Sequence, residues 1–416
     1  MNKYYDVCIV GGGASGLTAA VYIKQNNQNI SVLVLERLSR VGKKLINTGN
    51  GRCNITNKDE SFLHYHGNNS SFAEYSVSKY SNKEIEHFFT SIGVSIIYDD
   101  KGRGYPASLQ ASSVVDALRF SAEELGVDIH TNCLFKDFES IDNEYVIKTD
   151  DGSVKAEIIV FAAGLYSGGV RMGCDGSVFN LLKAKGEQCV FVSPAIAQVK
   201  TNNEFTRQLK GVKVNAVAEL FINESLIRQE SGEVLFCDYG LSGPPILQIA
   251  REIERQIGKK VIKLDLIPNN SFDEIIDLLK SLRFHLSYRN LDEYLSGVIN
   301  KRLGQVIIKA TGHKLSEKVS DLSDKDINDV AKMLKSFSFT AISTTGFDNS
   351  QVTAGGLDTN SFDDKTMMSK THKNMYAIGE ILDIDGDCGG YNLHFAFSSA
   401  FCCVDNIIKE YKDAKA

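Results

Sequence analysis

The feature that leaves this chain least freedom is an apolar strand that runs without a break into a glycine-rich turn. Val7 to Val10 is followed directly by Gly-Gly-Gly-Ala-Ser-Gly, then by a helical stretch from Ala14 to Lys24 and a second apolar run, Ser31 to Leu35, that ends on Glu36. That order is a βαβ unit. Gly11, Gly13 and Gly16 take G-x-G-x-x-G spacing. The first glycine allows the tight turn, the second lets a pyrophosphate approach the backbone, and the third lets helix and strand pack closely. Ala14 and Ser15 open the helix, whose N-terminal N–H groups favour phosphate. Glu36 stands where a carboxylate can accept hydrogen bonds from a ribose. The glycine spacing alone is a weak signal. Strand, helix, second strand and terminal acid in register point to dinucleotide binding.

With 416 residues, the chain exceeds one ordinary hydrophobic core, so two or three domains are expected. A net charge of −6 argues against nucleic acid or an anionic membrane as the main partner. No apolar run is long enough to span a bilayer, and the first strand starts too early for a signal peptide, so a cytoplasmic location is expected. The nine cysteines include no C-x-x-C pair, which disfavours zinc ribbons and dithiol centres. His64 and His66 would share a face if extended, but no third ligand is spaced near them, and no metal is expected.

Residues 37–57, RLSRVGKKLINTGNGRCNITN, carry five positive charges and little apolar periodicity. We read them as a functional loop wrapped over the cofactor. Lys43 or Lys44 faces the phosphates in this reading, and the N–H groups of Gly49 to Asn54 line the ribityl chain or flavin. Helices are expected at Asn82 to Ser91 and Gln110 to Leu125, on either side of a polar GRGYP turn that offers Arg103 to a cleft. Val127 to Phe161 reads as a three-stranded meander, with VDIHTNCLFKDF as one strand. It ends at Ala162, Ala163 and Gly164, small residues that suit a close return to a cofactor. Short alternating strands then run to Ile267, with a helix opening at Pro244 and Pro245. A helical block follows, whose first helix carries the Ser271–Glu274 capping box. Residues 190–267 are therefore expected as an inserted antiparallel or barrel-like domain and 268–340 as a helical subdomain. Residues 1–189 and 341–416 flank them. In the last part, Met375 to Ile378 is a strand with Gly379 and Glu380 just past its end. Gly386 to Asn392 is a glycine-rich turn, and Leu393 to Tyr411 a long buried helix. The helix start at Gly390, Tyr391 and Asn392 would aim N–H groups at a flavin, stabilising charge near N1 and C2=O.

The blocks GGGASGL, TGNGRCNITN, GRGYP, GLSGP, TAGG and GEILDIDGDCGGYNLHFAFSSA, in this order, resemble a family of bacterial FAD-dependent oxidoreductases described as BaiN-like, YhiN-like or aminoacetone-oxidase-like. The resemblance covers nearly the whole chain. It implies an α/β fold with a two-dinucleotide-binding, Rossmann-like FAD domain built from both chain ends, and an inserted barrel-like domain with a small helical subdomain. It places the pyrophosphate at Gly11 to Gly16 and the adenosine ribose at Glu36. Lys43, Lys44 and Gly51–Arg52–Cys53–Asn54 flank the cofactor, and the flavin end lies at Glu380, Asp385 and Gly390 to Asn392. Arg37, Leu134, Ala163, Gly164 and Gly379 complete the expected cofactor set. GRGYP departs from the more apolar GRVFP-like turn of many relatives.

The expected reaction is hydride transfer between flavin and a small organic substrate. One form is an aminoacetone-oxidase-like amine oxidation. Another is NAD(P)H-fed reduction of an alkene or steroid-like acid, and a third, non-catalytic reading is an FAD-binding redox sensor. No second G-x-G-x-x-G follows a strand, which leans towards the oxidase. Tyr391, His394 and Arg103 are the candidates for catalysis, with His394 better suited to a packed position on its helix.

Overall fold

Strand Tyr4–Val10 is buried over most of its length and lies inside a seven-stranded sheet. The computed structural model describes residues 3–142, 144–202 and 205–415. The strand pairs in parallel with Val32–Leu35 on one side and Gly152–Phe161 on the other. Val32–Leu35 is parallel in turn to Asp128–His130. Strand Gly152–Phe161 has two kinds of neighbour. Its first half is antiparallel to Glu144–Thr149, and its end is parallel to Met375–Ala377. Both ends of the chain therefore supply strands to one sheet. Their continuous apolar runs suit strands covered on both faces. The first helix, Ala14–Asn26, is rich in small residues, so the long helix Tyr391–Lys415 packs closely against it.

Two expectations change here. VDIHTNCLFKDF is not one strand but two, Asp128–His130 at one edge of the sheet and Phe135–Ile141 beside Glu144–Thr149 at the other. Between them Asn132 adopts φ +51°, and the amides of Asn132 and Cys133 bond to the carbonyls of Leu38 and Glu36. In the second change, SLIRQ and EVLFC merge into one strand, Ser225–Phe236. It folds back on Lys213–Ile222 through Asn223 and Glu224, both at positive φ, as a two-residue hairpin loop requires.

The chain divides into two compact units, residues 1–193 with 351–416, and residues 194–350. The second unit contains a closed six-stranded barrel whose last strand is Phe337–Thr344. That strand closes the barrel beyond the helical block, and this unit runs past the expected boundary at 340. Along Lys213–Ile222 the buried positions Ala216, Ala218, Leu220 and Ile222 alternate, one face filling the barrel. Helix Pro244–Arg255 packs against the barrel, and helix Phe272–His285 starts with the Ser271–Glu274 capping box. Among the described residues no helix is long and apolar enough to cross a membrane.

Candidate functional site

The site is built in the first unit, where the Gly11–Gly16 turn meets the end of Gly152–Phe161 and the end of Met375–Ala377. At two of its glycines the protein's own backbone fills the space. A Cβ on Gly11 would lie 2.6 Å from the Ala162 carbonyl oxygen, and one on Gly16 would run into the Gly11 carbonyl. Gly13 is different, because a Cβ there would meet nothing within 4 Å. Gly13 is also the N-cap of helix Ala14–Asn26, with no side-chain cap and no acid in the first turn. The helix therefore presents uncompensated N–H groups and its positive end to open space, as phosphate binding demands. Ser15 is buried, and its Oγ stands 2.7 Å from where a Gly379 Cβ would be.

At the ribose end, both oxygens of Glu36 are engaged by backbone: Oε2 accepts from Gly12 N–H (3.1 Å) and Oε1 from Leu38 N–H (2.8 Å). Burial raises its pKa against the pull of these amides. Arg37 is paired with Asp175 at 2.5 Å. Leu134 exchanges backbone and side-chain bonds with Asp150, next to the Cys133 amide that binds Glu36. These residues therefore gather where the adenosine was expected. Lys43 is exposed, whereas Lys44 is half-buried and paired with Glu380. Burial works against the charge on Lys44, but Glu380 outweighs it and the lysine pKa rises. Lys44 thus supports Glu380 rather than standing free for phosphate.

The other end is held by protein–protein contacts. A Cβ on Gly390 would lie 2.5 Å from the Thr56 carbonyl oxygen and 2.9 Å from Asn54 Oδ1. That Asn54 oxygen is buried and has no hydrogen-bond partner. The Asn392 side chain is spent on Gly386, accepting from its N–H (2.8 Å) and donating to its carbonyl (2.7 Å). Asn392 is accordingly a brace of the turn and not a free ligand. Asp385 is buried, and its backbone pairs with His66. Gly51 is open to space on a turn whose neighbours Gly49 and Asn50 take left-handed conformations. Cys53 is fully buried, and burial pushes its thiol up to about 12, so it is not a reactive group. Ala163 and Gly164 follow the strand end, and a Cβ on Gly164 would come no closer than 3.9 Å, to Glu380 Oε2.

The three catalytic candidates separate. His394 is buried, with Nδ1 2.8 Å from Thr56 Oγ1 and Nε2 2.8 Å from the Tyr80 carbonyl. Burial lowers its pKa to about 4. Both nitrogens are committed to protein partners, and the ring sits packed on its helix. Arg103 is clamped by Asp99 through Nε at 2.7 Å, and its guanidinium stands 5.9 Å from the Tyr105 ring. Arg52 reaches the same ring at 5.0 Å. Tyr391 is buried and stacks on the His64 imidazole (4.2 Å between centroids). Desolvation, with Asp59 and Asp387 nearby, pushes its pKa up, so the phenol keeps its proton.

Sequence reasoning missed two groups. One is a buried chain behind Glu380: its Oε1 accepts from Thr353 N–H (3.0 Å), and Thr353 Oγ1 accepts from Ser167 N–H (3.0 Å). TAGG is one of the blocks that carry the resemblance, but it was not read as the strand it forms, Val352–Leu357, and nothing local to the sequence links it to Glu380. The other is the set Asp59, His64, His66 and Asp387, joined by bonds of 2.9–3.1 Å. The histidine spacing was visible and Asp59 lies five residues before His64, but Asp387, which joins both histidines, is more than 300 positions away.

The open space at Gly13, the uncapped helix and the unpaired Asn54 oxygen fit an FAD laid from Gly11–Gly16 to Gly390. A family model described as the HI0933-like protein Rossmann domain matches residues 5–406. The chain belongs to that family. It is 31% identical to the 3-dehydro-bile acid delta(4,6)-reductase of Clostridium scindens, over 96% of this chain and 98% of that protein. It is 25% identical to the ribosomal RNA dihydrouridine synthase of Haemophilus influenzae, over 99% of this chain and all of that protein. Among solved structures it resembles a 3-ketosteroid delta1-dehydrogenase from Sterolibacterium denitrificans. The TM-score is 0.50 at 13% identity, over 98% of this chain and 100% of that one, a likeness of fold. The protein is accordingly an FAD-dependent oxidoreductase of the HI0933-like family.

Proposed function

We propose that this protein is a cytoplasmic reductase that saturates a carbon–carbon double bond conjugated to a carbonyl, on a small molecule, with electrons from NAD(P)H. The observation that carries this reading is the end-to-end match to two relatives whose names describe one bond change. A delta(4,6)-reductase of a 3-oxo bile acid and a dihydrouridine synthase both add two hydrogens to such a bond. The stronger match, and a net charge of −6 that offers no basic surplus for ribosomal RNA, favour a steroid-like acid over a nucleotide in RNA. No feature of the fold or of these relatives favours an amine oxidase or a sensor over it.

When bound, FAD supplies hydride chemistry that no side chain offers. The chain's own part is to hold and orient. Gly13 to Gly16 and the first helix bind the pyrophosphate, Glu36 fixes the turn beside the ribose through Gly12, and Lys44 with Glu380 braces the crossing between the chain ends. The start of helix Tyr391–Lys415 favours negative charge at the flavin end. Tyr391 holds a proton at Oη through the neutral pH range, and is the donor we assign to the substrate carbon next to the carbonyl.

The test is anaerobic stopped-flow absorbance of the yellow protein. Bleaching by NADH or NADPH, then recovery of colour with a 3-oxo-4,6-diene acid, is expected. Bleaching by aminoacetone with neither nicotinamide effective would overturn the reading.

A further inference from the structure

Residues 37–57 carry five cations, and the tertiary structure sorts them. Arg37 is paired with Asp175, and Lys44 with Glu380. Lys43 acts on Glu36 at the ribose end. Arg40 is exposed two residues before Gly42, whose amide binds the Gly12 carbonyl (2.8 Å), so it too belongs to the first turn. Arg52 alone of the five lies next to the flavin-end turn. Two residues on, Asn54 Oδ1 stands 2.9 Å from where a Gly390 Cβ would be.

Arg52 is exposed, and among the described residues no carboxylate is paired with it. Its Nε donates one long bond to the Gly49 carbonyl (3.4 Å), and its guanidinium lies 5.0 Å from the centre of the buried Tyr105 ring. The Arg103 guanidinium, 5.9 Å from the same ring, is neutralised by Asp99 at Nε (2.7 Å) and Nη2 (2.6 Å). Backbone fixes where Arg52 stands. Gly49, Asn50, Gly51 and Cys53 all take positive φ. The Arg52 amide bonds back to Gly49 (3.2 Å), the Cys53 amide to Thr48 (3.0 Å), and Cys53 is buried. Tyr105 orients the flat guanidinium, whose fork matches a planar carboxylate through two parallel bonds.

We propose that Arg52 is the specificity-determining residue that receives the carboxylate of the substrate acid. The inference rests on the acidic substrate class proposed above. A steroid-like acid brings one negative charge, and Arg52 is the uncompensated cation at the flavin end, since Arg103 with Asp99 adds no net charge there. Arg52 was expected to flank the cofactor. FAD, however, carries its phosphates at the Gly11–Gly16 turn, where Arg40 and Lys43 stand.

The experiment is steady-state kinetics of the holoenzyme with NAD(P)H and two probes, a 3-oxo-4,6-diene bile acid and its primary amide. The two differ in charge and barely in shape. Wild type is expected to show a KM roughly tenfold lower for the acid at similar kcat, the worth of one charge-assisted hydrogen bond. In Arg52→Met, which keeps an apolar stem over Tyr105, the acid and amide should share one KM. Arg52→Lys restores the charge without the fork and should recover part of the difference. A structural or cofactor-holding role would move both probes alike and leave their ratio intact. A retained ratio in Arg52→Met would therefore overturn the proposal, as would slower flavin bleaching by NADPH but not NADH in that variant with the ratio unchanged. Reduction of both probes at equal KM by wild type would sink Arg52 alone. Reduction of neither would sink the reading above and Arg52 with it.

Discussion

The two glycine-rich turns at the ends of the cradle use the same residue for opposite reasons. Around Gly13 the backbone stands open: a Cβ there would meet no protein atom within 4 Å, and the helix behind it has no side-chain cap. Around Gly390 the backbone is already in contact, pressed on Thr56 and braced by Asn392, by the Asn57 side chain on the Gly389 carbonyl (2.9 Å), and by His64 through Asp387. The first turn is shaped for a ligand's approach and the second for the protein's own. A glycine motif therefore reports close approach, and only the neighbours reveal what approaches.

The sharpest way to break this contrast is to put side chains on both. Gly13→Val should lose all bound FAD, seen as colourless protein, while its circular dichroism stays that of the wild type. If the variant stays yellow, the phosphates lie elsewhere. His394→Gln probes the packed side of the second turn. His394 titrates near 4 in the fold against about 6.5 when unfolded, so the unfolded chain takes up the proton first as pH falls. Its contribution is complete above about pH 6.5 and is lost towards pH 4, on the order of 3 kcal/mol by linkage. Urea unfolding across that range should show a fall in the wild type that the variant lacks, and parallel profiles would contradict the burial. Gly390→Ala, at φ +105° with a Cβ 2.5 Å from the Thr56 oxygen, should cost about 1–3 kcal/mol of stability even without FAD. Equal stability of that variant and wild type would erase the distinction between the two turns. The smallest effect is expected from Asn392→Ala, about 1 kcal/mol for the lost brace of Gly386, measured as a shift in urea midpoint.

The first turn was legible because everything it needs lies within one βαβ unit, from Val7 to Glu36. Local periodicity also marked the helix Asn82–Ser91, and the capping box at Ser271 was visible in sequence. Where the reading failed, the deciding bonds were distant. The split of VDIHTNCLFKDF depends on Cys133 and Asn132 meeting Glu36 and Leu38, far earlier in the chain. Of the two lysines read as facing the phosphates, Lys43 or Lys44, the second has Glu380 beside it, a partner 336 positions away.

By itself, then, the sequence determined the dinucleotide-binding unit, the sign of the net charge and the run of strands that becomes a barrel, since strand and helix periods are local properties. Tertiary structure alone decided which polar groups are spent. His394 and Asn392 are consumed by packing, Tyr391 is kept protonated, and His64 finds its two aspartates. For His394, and for the bond of His64 to Asp387, the partners lie hundreds of positions away, and desolvation likewise comes from distant packing, so no local pattern encodes them.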